Sequence, residues 1–122
     1  MGSIQKDDIR EERITMEIVV DAYDEEERAM GWASYLEDKI SFPFSAECIA
    51  SDTRSPLIVG EQINVSRMIQ EANGSQDMYV EISWNSRTFA VPLAQLRPLD
   101  ADEDTVEAIS DWHYWKARGY LF

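Results

Sequence analysis

Cysteine and histidine each occur once in this 122-residue chain, as Cys48 and His113. A single cysteine excludes an internal disulfide framework and a cysteine-based zinc cage. A single histidine leaves few routes to imidazole catalysis, and no motif places a nucleophile or an orienting carboxylate beside it. The five glycines form no phosphate-cradling pattern. No apolar run approaches the roughly 18 residues that cross a bilayer. The opening MGSIQKDDIREER lacks the apolar stretch of a signal peptide, and its sixth residue is Lys where a myristoylation signal needs Ser or Thr. These absences lead to the expectation of a soluble, cytoplasmic, non-enzymatic protein.

Positive charge is scarce as well. Eleven Lys and Arg face 24 Asp and Glu, for a net charge of −13. Residues 1–40 carry 12 carboxylates against 5 basic groups, residues 100–122 carry 6 against 2, and the span between them carries 6 against 4. Such ends repel nucleic acid and anionic membranes, whereas clustered side-chain oxygens suit a hard cation such as calcium. With 44% apolar residues in a chain of this length, a single domain with its own core is expected.

Hydrophobic spacing divides that domain into three parts. Residues 8–20 mix charged and apolar positions at helical spacing, with Ile9, Met16, Val19 and Val20 on one face. A second helix begins at Asp24, whose carboxylate can cap it with Glu27 in capping-box position. Met30, Ala33, Leu36 and Ile40 follow at spacings of three and four, and the helix should stop near Lys39, before Pro43. From Phe42 the period falls to two. Phe42, Phe44, Ala46, Cys48 and Ala50 alternate with Ser45, Glu47 and Ile49, a strand region runs from Pro56 to Val65, and Met78, Val80, Ile82 and Trp84 line another strand. Asn85-Ser86 is a two-residue turn into a strand at Arg87–Val91, and LAQLR between Pro92 and Pro98 reads as a turn. Several short strands predict a small β-barrel over residues 42–99. A third helix spans residues 102–118, with Asp104 and Glu107 in capping-box spacing and Gly119 as its stop.

Most of the acidic groups have an ordinary explanation. Asp24 to Glu27 form an acidic first turn that complements the helix dipole. Asp100, Asp102 and Asp104 occupy the first, third and fifth places of an EF-hand loop. The loop then fails, because its sixth place holds Thr105 instead of Gly and its twelfth holds Asp111 instead of Glu. Glu37 and Asp38 are different. They stand near the C-terminal end of their helix, where the dipole disfavours negative charge and free carbonyls offer further oxygen ligands. Asp38 is the residue singled out on these grounds. His113 and Cys48 read as packed side chains, and Trp112, Tyr114, Trp115 and Tyr120 read as rings laid onto the barrel or the first helices.

Three stretches together resemble the cyanobacterial calcium-binding family CcbP. They are DAYDEEERAMGWASYLEDKISFPF at 21–44, AVPLAQLRPL at 90–99 and DWHYWKARGY at 111–120. The resemblance implies an α+β fold, with two N-terminal helices and a C-terminal helix packed on a small SH3-like β-barrel. It also implies Ca2+ binding through surface carboxylates without an EF-hand, in a calcium buffer or sensor. The matching acidic positions are Asp21, Glu26, Glu37, Asp38, Asp100, Asp102, Asp104 and Glu107. The other reading is an SH3-like module that binds a protein partner through its barrel and aromatic tail, with the acidity serving solubility.

Overall fold

The computed structural model describes residues 7–19, 24–53, 55–69 and 78–118. Two helices, α1 (Asp8–Glu17) and α2 (Glu25–Lys39), precede strands β1 (Phe44–Cys48), β2 (Gln62–Ile69), β3 (Tyr79–Trp84) and β4 (Arg87–Pro92). A 3-10 turn at Leu93–Gln95 then leads into β5 (Leu96–Asp100), and α3 (Glu103–Ala117) completes the order. The expected turn at 70–77, Val20, Gly119 and Tyr120 lie outside the described residues.

All strand pairs are antiparallel, in the order β4-β3-β2-β1-β5. The α+β class holds, but the sheet is not closed: its edges β4 and β5 share no ladder among the described residues. Asn85 and Ser86 both have positive φ, 55° and 66°, which is the backbone a two-residue hairpin needs to match the strand twist. In β2 the register shifts between Val65 and Arg67. That irregularity moves the buried phase from Ile63 and Val65 to Met68, so one face stays apolar along the whole strand. The LAQLR segment is part turn and part strand, because β5 follows the 3-10 turn at once and pairs with β1. Pro98 is tolerated in β5 because an edge strand has a neighbour on one side only.

Each helix is cut by its caps. Asp24 accepts the Glu27 N–H at 2.8 Å, as the capping-box spacing requires. The cap of α3 is Asp102, which accepts the Thr105 N–H at 2.8 Å, so Asp104 falls in the first turn instead of capping it. In α2 the buried stripe is Trp32, Leu36 and Ile40, flanked by Ala29 and Ala33; Met30 stands about a quarter-turn away and is exposed. Trp32 meets Trp112 of α3 edge-on, with ring centroids 5.1 Å apart, and lies 5.6 Å from Trp115. The aromatic segment of α3 is therefore core, not surface.

Of the face expected for this first segment, Val19 packs against the core, but the two members within α1 do not. Ile9 and Met16 are 84% and 65% exposed, while Ile14 and Ile18 on the opposite side are buried. Arg10 and Glu11 lie on the Ile14 side of α1 and Arg13 on its flank, and all three find partners on α3. An apolar count along the helix could not reveal a face that docks by charge.

At its C-terminal end α1 crosses α2 at Gly31. A Cβ there would run into the Ile18 carbonyl oxygen, a backbone atom that cannot turn aside. Gly31→Ala is therefore expected to lower stability by about 1–3 kcal/mol through overpacking, despite the better helix propensity of Ala. Urea unfolding of the two proteins checks this; equal or greater stability in the variant would show that the helices do not touch there.

Candidate metal site

The last turn of α2 presents Glu37 and Asp38 to solvent, followed by Lys39. The chain then leaves the helix abruptly. Ile40 N–H still donates to the Leu36 carbonyl at 3.0 Å, but Ile40 itself is extended. Ser41 N–H is diverted to Thr105 Oγ1 at 2.8 Å, and Pro43 has no N–H to give. Two donors that would have continued the helix are thus removed from the carbonyl end of its dipole. The Ser41 hydroxyl donates to Asp102 Oδ2 at 2.8 Å, which ties the end of α2 to the start of α3.

Glu37, Asp38 and Lys39 also border an open groove of about 740 Å³. The end of α1 forms its other wall with Glu17 and Ile18, and Gly31 and Tyr35 lie on the α2 side. The groove mixes carboxylates of Glu17, Glu37 and Asp38 and the oxygens of Ser34 and Tyr35 with apolar wall and the Lys39 ammonium; the oxygens among them are the donor type a hard cation takes.

Other expected positions are spread along the fold. Asp102 is exposed, but both of its oxygens are engaged; hydrogen bonds from Thr105, then Ser41, hold its carboxyl below the usual range. Asp104 and Asp100 are exposed, at the first turn of α3 and the end of β5. Glu107 is exposed with an oxygen 4.0 Å from Arg13 Nη2. Glu26 lies in the first turn of α2, twelve residues from Asp38 and so roughly 18 Å along the axis, which is too far to share one ion. Asp21 lies outside the described residues. Among the described residues no three Asp, Glu, His or Cys side chains converge as a ready metal cage. The structure brings the end of α2 to the start of α3; it does not bring three carboxylates to one point.

One carboxylate that sequence reading passed over is the most constrained of all. Asp111 is fully buried. Arg13 of α1 forks it, Nη1 to Oδ2 at 2.8 Å and Nη2 to Oδ1 at 2.7 Å, and the Tyr35 hydroxyl of α2 donates to Oδ2 at 2.9 Å. The hydrogen bond to Asp111 pushes the Arg13 pKa up, and burial, then Asp111, pushes that of Tyr35 up. In the sequence Asp111 registered only as a failed twelfth place of an EF-hand. The available signal was an acid within the aromatic run DWHYW, facing a helix with arginines at 10 and 13.

His113 and Cys48 behave as packed side chains. His113 Nε2–H donates to the Leu96 carbonyl at 2.7 Å, and burial, partly offset by that bond, lowers its pKa. Cys48 is buried in β1, its thiol 3.2 Å from the Ala50 carbonyl. No described helix is long and apolar enough to cross a membrane.

Comparison with known proteins adds to this geometry. The family model of the CcbP proteins, described as calcium binding, matches residues 12–116. The crystal structure of Anabaena CcbP superposes with a TM-score of 0.86 at 41% sequence identity, over 100% of both chains. A calcium-binding protein solved in its calcium-binding form superposes with a TM-score of 0.84 at 40% identity, again over 100% of both chains. No curated protein matches the chain.

Two stability measurements check the buried groups. Arg13→Met leaves Asp111 buried beside Tyr35, with only Arg10 Nε 3.7 Å away. A loss of about 3 kcal/mol is expected, near the lower end for a broken buried pair because Arg10 remains. A loss under about 0.5 kcal/mol in chemical denaturation would show that the pair behaves as a surface one. The second concerns pH. The folded His113 pKa lies below the ordinary 6.5, so the unfolded chain takes up the proton first as pH falls. Stability should therefore be full above 6.5 and decline as pH drops toward the folded value, and His113→Gln should flatten that slope. An unchanged slope in the variant would remove His113 from the account.

Proposed function

The chain belongs to the CcbP calcium-binding family, and from that membership we propose that it takes up Ca2+ through exposed carboxylates at the end of α2. It does so as a cytoplasmic buffer or modest-affinity sensor with no catalytic role. The observation that carries the reading is similarity over the full length of both chains to a protein solved in a calcium-binding form, at 40% identity. Local chemistry agrees with it. Glu37 and Asp38 are adjacent and exposed in the last turn of α2, at the negative end of a helix dipole, which repels like charge. A divalent cation relieves that repulsion. Carboxylate oxygens, carbonyls of the last helical turn and water would make up the six to eight oxygens that calcium takes.

Each group has its own task in this account. Asp38 and Glu37 supply charge and direct ligands. Asp102, already bonded to Ser41 and Thr105, fixes the segment that follows them and adds negative potential nearby. Asp100 and Asp104 contribute to the same field from the start of α3, Glu107 lies further along that helix, and Glu26 belongs to any second, weaker site. The chain works as one domain, supported by a continuous set of buried side chains from Ile14 of α1 to Trp115 of α3. The SH3-like description of the β-unit is part of the proposal too: a 3-10 turn carries β4 into β5, at opposite edges of the sheet.

Binding to the folded state alone stabilises it by mass action, by about 2.7 kcal/mol at a hundred times Kd. Millimolar calcium is therefore expected to raise Tm, and equal magnesium to raise it much less. Asp38→Asn should weaken the tightest site by about tenfold, or about 1.4 kcal/mol, in calorimetric titration. No calcium-specific shift in Tm and no heat of binding would overturn the reading; unchanged affinity in Asp38→Asn would remove Asp38 from the site.

A further inference from the structure

The two edges of the sheet are defended unequally. A free strand edge presents unpaired N–H and C=O groups that another strand can complete, and proteins block such edges with charge, proline or an irregular register. β5 carries all of these: Arg97, Pro98 and a register shift against β1 at Ser45 and Ala46. β4 has none of them between Arg87 and Pro92, where Thr88, Phe89, Ala90 and Val91 are uncharged and regularly paired with β3. Its free groups can be assigned. The two-residue turn makes Trp84 and Arg87 a hydrogen-bonded pair. That phase runs on through Phe89 and Val91 to Leu93, whose N–H donates to the Met78 carbonyl at 2.8 Å. Thr88 and Ala90 therefore turn their backbone groups outward, and both residues are exposed. Among the described residues neither has a further backbone partner.

We infer that β4 is a self-association edge, where a second copy of the chain adds its own β4 antiparallel about a two-fold axis at Phe89. The strand is self-complementary in that register. Thr88 of one copy faces Ala90 of the other, and each such pair exchanges N–H and C=O bonds, so every outward group between Arg87 and Pro92 is used. Phe89 meets Phe89 of the second copy as a non-hydrogen-bonded pair, the closer kind, and aromatic cross-strand contacts favour pairing. Phe89 is only partly buried and is already held edge-on by Trp84, with ring centroids 5.6 Å apart, so its ring is in place before the contact forms. Arg87 faces Val91 of the second copy, so the charged side chain of β4 does not oppose itself. The net charge of −13 opposes the approach of two copies, but its excess lies in residues 1–40 and 100–122, outside β4. Glu81, beside Ala90 on β3, is paired with Arg67 at 3.0 Å. A ladder this short makes a weak, concentration-dependent dimer, with less area than a stable interface buries.

Sedimentation equilibrium of the full chain over a range of concentrations tests this, with chelator present so that calcium plays no part. The unmodified protein should show a reversible monomer–dimer equilibrium that tightens with added NaCl, because salt screens the repulsion between acidic copies. Hydrogen exchange at the Thr88 and Ala90 amides should slow as the dimer forms, while that of β5 stays the same. The double variant Thr88→Lys/Ala90→Lys sets lysine against lysine at both ends of the ladder and should weaken dimerisation about tenfold or more. Its urea stability should stay close to that of the unmodified protein, since both positions are exposed. Thr88→Glu/Ala90→Glu should weaken the dimer likewise, and an equimolar mixture of the two variants should restore it. A monomer at every concentration would overturn the proposal. So would a dimer that the lysine variant leaves unchanged, or one that salt dissociates.

Discussion

The buried carboxylate of Asp111 is the point on which the helical part of this fold depends. It sits on α3, is forked by Arg13 of α1, and receives the hydroxyl of Tyr35 of α2, so one side chain ties three helices. Stranding an ionised carboxylate away from water is costly unless its lone pairs are filled, and here three donors fill them. The consequence is directional. Apolar packing around Trp32, Trp112 and Trp115 would hold α2 and α3 together in several rotations, but the fork on Asp111 accepts α1 in one. That orientation carries the end of α1 to Gly31 and makes the groove beside Asp38.

A second tie sets the other side of the site. Ser41 gives its N–H to Thr105 and its hydroxyl to Asp102, just beyond the last turn of α2. The helix stops at Lys39, with the carboxylates of Glu37 and Asp38 exposed in its last turn, instead of continuing into β1. The sheet contributes by fixing where β1 begins and where β5 ends, since both strands lead directly to this junction. The end of α2 and the start of α3 therefore meet at one junction, held by Ser41, Asp102 and Thr105.

Much of this was legible in the chain, and what was not has physical reasons. Period-two alternation located β1 and β3, and the Asn85-Ser86 turn emerged from residue types that tolerate positive φ. Caps marked the start of α2 correctly. For α3 the spacing chose Asp104, whereas Asp102 won because its carboxylate also reaches Ser41, a contact 61 residues away in sequence. The wrong face of α1 has the same origin: hydrophobic periodicity assumes that the inward side is apolar, and Arg10 and Arg13 point inward to a partner on another helix. β5 was hidden by Pro98, which argues against a central strand but not against an edge. The candidate site was legible as chemistry, in Glu37 and Asp38 at a helix end, and illegible as geometry, because nothing local reveals Glu17 across the groove.

The position of bound calcium decides whether the end of α2 is the site. Titration of the full chain with CaCl2, followed by amide chemical shifts, reads that position directly. The largest and earliest changes should fall on residues 37–41, with smaller ones at the start of α3 and the end of α1. Saturable changes confined to other parts of the chain, such as the sheet and its loops, would contradict it.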